Sequence, residues 1–134
     1  MTRFFALFTA VFAFAVATFA LPATATAGPG IKQYSASSFQ AAQKAGKTIV
    51  VDVHASWCPT CKAQAPILSE LSKDAKLKNV VFMRVNYDSD KAFLRAHRVP
   101  RQSTILVFQG TKETGRSIAQ TNRAKLRSFV FGAV

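Results

Sequence analysis

Cysteine occurs only twice in these 134 residues, tryptophan once and histidine twice, and six acidic side chains stand against eighteen Lys and Arg. Each scarcity excludes something. Two cysteines cannot build the framework of a disulfide-stapled mini-protein, and a chain of roughly 100 residues can bury ~60–70% of its unfolded surface without such staples, so the thiols are free for chemistry. The few acids offer no pair of carboxylates at useful spacing, and no serine-histidine-acid pattern is present, so hydrolase readings have nothing to stand on. Internal repeats, phosphate-cradling glycine loops and low-complexity segments are also missing from the sequence.

One long apolar run is present, Phe4 to Leu21, preceded by Arg3 and followed by L-P-A-T-A-T-A-G. Small residues at that spacing are what a signal peptidase requires, so residues 1–27 are expected to be a signal peptide cleaved after Ala27. At 18 residues the run is also at the lower edge of what spans a bilayer, and an uncleaved anchor over residues 4–21 is the competing reading. On either reading residues 28–134 are one exported domain, periplasmic in a bacterium. Removing 27 residues from 134 leaves 107, and the loss of Arg3 lowers the formal charge from +12 to +11. Such an excess suits the anionic faces of membranes or an acidic partner. Nucleic acid is disfavoured by the export signal and by basic residues scattered along the chain.

The two cysteines lie within T-I-V-V-D-V-H-A-S-W-C-P-T-C-K-A-Q-A-P, residues 48–66. A β-branched run interrupted only by Asp52 predicts a central strand covered on both faces, and an acid in such a run should have its pKa raised by burial. A short turn then delivers Trp57 and Cys58 to the start of a helix carrying Cys61. Unpaired N–H groups and the positive dipole end of a helix stabilise a thiolate, and the i, i+3 spacing puts both sulfurs on one side of the first turn. Trp57, in the turn, is expected to contact substrate. His54 could tune the thiolate or join the cysteines as a ligand, although a plain strand-end histidine is the simpler reading, and His97 is expected to be a solvated helix-end residue.

This stretch resembles the thioredoxin superfamily, with W-C-P-T-C in place of W-C-x-x-C. Asp52 falls where that family keeps a buried acid, Pro66 where it kinks the active-site helix, Arg84 where a Lys commonly approaches the acid, and the matches run on to T-I-L-V-F at 104–108. The resemblance spans roughly residues 31–130. It implies a thiol-disulfide oxidoreductase with no cofactor beyond a redox-active disulfide Cys58-Cys61, in which Cys58 attacks and Cys61 resolves with help from Asp52. It further implies substrate contacts at Trp57, Pro59, Thr60, Gln102, Ser103 and Thr104, with protein thiols and disulfides as partners, a membrane electron donor and a monomeric state. Small size and the absence of an inserted helical domain favour a reductase over an oxidant. One departure stands out: the family's cis-proline facing the cysteines is replaced, on alignment, by Ser103, while Pro100 lies three residues too early. The alternative from another class is a metal-binding protein using Cys58, Cys61 and His54 for copper, or the two cysteines for a cluster shared in a dimer.

The expected fold is α/β, a thioredoxin-like three-layer sandwich with a mixed central sheet in the order β-α-β-α-β-α-β-β-α. Its elements are an edge strand at 31–34, a helix opened by Ser37 and Gln40 and ended by Gly46, and the strand 49–54. Next come a long helix from Cys58 to Leu77 and a strand 80–86, then a helix 90–97 capped by Asp88 or Ser89. Strands 104–108 and 113–119 follow, and a closing helix begins at Thr121 or Asn122. In the long helix Ala63, Ile67, Leu68, Leu71 and Ala75 are expected to face inward, with Lys62, Gln64, Glu70, Lys73 and Lys76 outward.

Overall fold

Apolar β-branched runs dictate the centre of the molecule. In the computed structural model, which describes residues 30–134, β2 (Thr48–His54) and β4 (Thr104–Gln109) run antiparallel in the middle of a five-stranded sheet. Their inner residues Ile49 to Val53 and Thr104 to Phe108 are all buried, as expected of strands covered on both faces. The expectations for residues 1–27 lie outside the described residues. Among those described, no helix is long and apolar enough to cross a membrane.

The other strands are β1 (Ile31–Gln33), β3 (Val81–Asn86) and β5 (Lys112–Ile118), and the sheet order is β1-β3-β2-β4-β5. Strands β1, β3 and β2 are mutually parallel, β4 runs antiparallel to them, and β5, antiparallel to β4, returns to their direction. Helices α1 (Ala36–Lys44) and α3 (Lys91–Ala96) cover one face, and α2 (Pro59–Leu71) and α4 (Arg123–Ala133) the other. Alternation along β2 sorts its side chains between two cores: Val50 packs with Ile67, Leu68, Leu71, Leu126 and Val130, whereas Ile49, Val51 and Val53 pack with Phe39, Phe93 and Phe108. This is the mixed-sheet, three-layer sandwich expected from the sequence.

Several boundaries moved. Helix α1 is capped by Ser35, whose hydroxyl accepts the Ser38 N–H, two residues earlier than the Ser37–Gln40 signal suggested. The long helix stops at Leu71, and a separate 3-10 turn at Ala75–Leu77 is capped by Asp74. Ala63 and Ala75 are exposed, while Gln64 is fully buried, so the inward stripe is Cys61, Gln64, Ile67, Leu68 and Leu71. Neither Asp88 nor Ser89 caps α3; Asp90 takes that position and its carboxylate accepts the Asn86 N–H. His97 is half-buried among Phe93, Phe39 and Phe108, at ring-centroid distances of 4.3, 5.6 and 5.2 Å, and burial lowers its pKa.

Helix α4 approaches β5 closely because Gly115 has no side chain. A Cβ there would lie 2.9 Å from the Ala133 Cβ and 3.0 Å from a ring carbon of Phe129. Gly115→Ala is therefore expected to destabilise the fold by about 1–3 kcal/mol through overpacking, read as a lower urea midpoint at unchanged slope.

Candidate active site

The site is built on the first turn of α2, where β2 ends. Cys58 has the extended backbone of an N-cap residue (φ −88°, ψ 112°), and its sulfur accepts the Cys61 backbone N–H at 3.1 Å, in the role a serine or aspartate oxygen usually fills. Pro59 follows at the first helical position, where a missing N–H costs nothing. Both cysteines are free thiols, and both are 1% exposed. The helix start does not open either sulfur to solvent: Ala55, Tyr87 and Ser103 pack around the pair.

Ser103 is the residue opposite the cysteines, and Pro100 is not. Its Oγ lies 3.1 Å from the Cys58 Sγ and 3.2 Å from the Cys61 Sγ, and among the described residues every peptide bond is trans. The serine occupies the left-handed region, φ +62°, as does Ala119 at +55°. These two strained residues hold each other, since the Ala119 N–H donates to the Ser103 carbonyl, while the Ser103 N–H donates to Val53 at 2.8 Å. Gln64 completes the clamp by donating to the carbonyls of Ser103 at 3.3 Å and Gln120 at 3.0 Å. Sequence reasoning placed Gln64 in solvent. The usable signal was its spacing, three residues after Cys61 and three or four before Ile67 and Leu68, on the buried stripe.

The same surroundings act oppositely on the two thiols. Burial pushes Cys58 up, but the Cys61 thiol, the Ser103 hydroxyl, the Cys61 backbone N–H and the Gln102 amide all hydrogen-bond to its sulfur and together hold it below the ordinary thiol value. Burial and the neighbouring Cys58 push Cys61 up, against the Ser103 hydroxyl and the Ala55 backbone. Of the two thiols, Cys58 is therefore the one that loses its proton first.

Asp52 is 3% exposed and its Oδ2 receives both Nε and Nη2 of Arg84 at 2.8 Å. Burial raises its pKa despite the Arg84 guanidinium, and its Oδ1 has no partner. His54 turns toward this acid, with its Nδ1 4.0 Å from the Asp52 Oδ2, and burial together with Arg84 lowers its pKa. Among the described residues no three His, Cys, Asp or Glu side chains gather as metal ligands, so the set Cys58, Cys61 and His54 does not assemble.

The expected substrate contacts divide. Trp57 is 57% exposed, with its Nε1–H donating to Asp88 at 3.0 Å, Pro59 is exposed, and Thr60 and Gln102 are half-buried. Ser103 and Thr104 are completely buried, and the Thr104 hydroxyl is consumed by the Arg101 carbonyl at 2.7 Å, which removes Thr104 from any contact surface. Asp88, missed as a site residue, lies 31 positions from its tryptophan, a separation that no local pattern signals.

The thioredoxin family profile matches residues 30–131. A thioredoxin of Echinococcus granulosus is 30% identical over 100 residues, covering 75% of this chain and 91% of that protein. A bifunctional thioredoxin reductase/thioredoxin of Mycobacterium leprae is 28% identical over 100 residues, 75% of this chain and 22% of its own length. The crystal structure of Trxlp from Edwardsiella tarda EIB202 superposes with a TM-score of 0.72 at 36% identity, over 74% of this chain and 96% of that one.

The opposed thiol shifts make an ordering testable. With limiting iodoacetamide at pH 6, peptide mapping should find Cys58 alkylated before Cys61, and the reverse order would refute the assignment of the thiolate.

Proposed function

Since this chain belongs to the thioredoxin family and is a thiol-disulfide oxidoreductase whose redox-active cysteines act directly on protein thiols and disulfides, we propose that Cys58 attacks, Cys61 resolves, and electrons pass from the pair to substrate disulfides. The observation that carries this reading is the Cys58 sulfur capping α2, where the Cys61 backbone N–H donates to it and the Ser103 hydroxyl lies within hydrogen-bond distance, both favouring its anion. The attacking thiolate forms a mixed disulfide and expels one substrate thiolate. Cys61, once deprotonated, then attacks the Cys58 sulfur, closing the Cys58-Cys61 disulfide and releasing the second substrate thiol. Asp52 is the acid suited to receive the Cys61 proton, because burial holds its pKa up while Arg84 keeps ionisation attainable. An arriving partner stacks on exposed Trp57 and Pro59 and displaces Gln102 to reach the buried sulfur.

The reducing direction is supported by the element order, which among the described residues carries no helical domain inserted into the sheet, and by the relative whose printed name joins thioredoxin to a thioredoxin reductase. Residues 1–27 address the chain outside the cytoplasm, where a membrane electron donor recharges a monomeric domain. N-terminal sequencing of protein recovered from the periplasm should begin at Gly28; recovery solely from the cytoplasm would refute export. A reduction potential near −270 mV is expected, and one near −120 mV would make the protein an oxidant.

Two variants test the steps. Cys61→Ser should accumulate mixed disulfides with protein substrates, seen on non-reducing gels, while Cys58→Ser should accumulate none. Asp52→Asn should slow release of the mixed disulfide about tenfold or more. Its effect on stability follows from linkage: between the ordinary carboxylate value and the raised one the folded chain holds a proton that the unfolded chain has lost, so stability falls as pH rises through that interval. Asp52→Asn should therefore be the more stable form above the interval and match the parent below it. Identical urea midpoints across the whole range would mean that Asp52 is not buried in solution.

A further inference from the structure

We propose that the Ser103 hydroxyl is a catalytic hydrogen-bond donor shared by both sulfurs, turning from Cys58 to Cys61 as the negative charge passes from one to the other. The proposal deepens the assignment of Cys58 as attacker and Cys61 as resolver, and rests on it. Its basis is that one oxygen stands within hydrogen-bond distance of both reacting atoms, 3.1 Å from one and 3.2 Å from the other. A hydroxyl has a single proton and two lone pairs, so it can donate to one sulfur while accepting from the other, and rotation about one bond exchanges the two.

The other donors do not share this property. The Cys61 N–H and the Gln102 amide serve Cys58, and an Ala55 backbone group serves Cys61. Water cannot easily substitute, because both sulfurs are 1% exposed. The backbone of Ser103 is fixed on three sides, by Val53, Ala119 and Gln64, so the hydroxyl is the part left free to move.

In the reduced pair the hydroxyl donates to the Cys58 thiolate, to which the Cys61 thiol also donates. When Cys58 attacks, a bond forms between its sulfur and one substrate sulfur, the substrate disulfide breaks, and the leaving thiolate carries away the charge. Cys58 no longer needs a donor. The Cys61 proton passes to a base, the hydroxyl turns to the new thiolate, and this attacks Cys58; two electrons have then moved from the pair to the substrate, whose two thiolates take up protons.

Ser103→Ala keeps a Cβ at positive φ and removes only the hydroxyl, whereas Ser103→Gly removes it and suits that backbone. In both, the pH profile of Cys58 alkylation by iodoacetamide should move up by about one unit, the equivalent of a tenfold smaller thiolate fraction at fixed pH. Because a more basic thiolate is intrinsically more nucleophilic, the profile should cross that of the parent: about threefold slower below the midpoint and about threefold faster on the alkaline plateau. Resolution of a mixed disulfide preformed on Cys58 should also slow, by about threefold at neutral pH, because the smaller Cys61 thiolate fraction is partly offset by its greater nucleophilicity. Loss of fold alone produces no crossing. Profiles that overlay the parent, or a glycine variant that restores the parent profile, would overturn the proposal. An unchanged resolution rate would overturn the turning of the hydroxyl to Cys61. Failure of the underlying assignment has its own sign, the absence of trapped complexes in Cys61→Ser.

Discussion

A sulfur capping a helix is the constraint on which the rest of this structure depends. Desolvation alone would disfavour an anion held 1% exposed, so the thiolate of Cys58 is favoured over the ordinary thiol only because several donors converge on it. The Cys61 N–H is available because it is one of the orphan donors of a helix start, and the start is fixed by Pro59 immediately after the cap. Cys61 contributes that N–H to its neighbour and keeps a weaker set for itself. Three residues of separation, with equal burial, thus divide two identical thiols into a nucleophile and a reserve.

The donors from outside the helix require the loop before β4 to arrive at one position. Ser103 extends the β2 ladder by one bond, to Val53, and then departs from strand geometry with a positive φ. Such a conformation costs of order 1 kcal/mol or more and persists where the surroundings over-determine it. Here Ala119, itself strained, and Gln64 take the Ser103 carbonyl from two directions. Gln64 belongs to the same helix as Cys61, so the stripe that buries α2 against the sheet also aligns the loop over the sulfurs.

The parts legible in the sequence were those written in short periods. A β-branched run with one acid read correctly as a central strand, and the register then set Asp52 beside Arg84 across the parallel β2 and β3 pair. The cysteine spacing read correctly as one helical turn. What escaped was set by tertiary contact. Gln64 is polar and occupies an apolar stripe because it satisfies two loop carbonyls; His97 is half-buried because Phe39, Phe93 and Phe108 meet there from three elements. Helix α2 was read six residues too long because no glycine or proline marks its end. The stop comes from Asp74, which caps the following turn and binds Arg127 of α4 at 2.6 Å.

Asp52 shows why a domain of this size retains a buried acid at a cost to stability. A carboxylate fully compensated by donors would be too weak a base to take a proton, and one buried with none would hold its proton too tightly to return it. The observed arrangement lies between these limits. Arg84 binds a single oxygen, Oδ2, and with 28% of its own side chain exposed it remains partly solvated, so its pull is moderated. The second oxygen, Oδ1, is buried without a partner, which leaves a lone pair for the proton that arrives and keeps the pKa above the ordinary carboxylate range. The unsatisfied atom that weakens the fold is therefore the one that fits the acid for proton exchange.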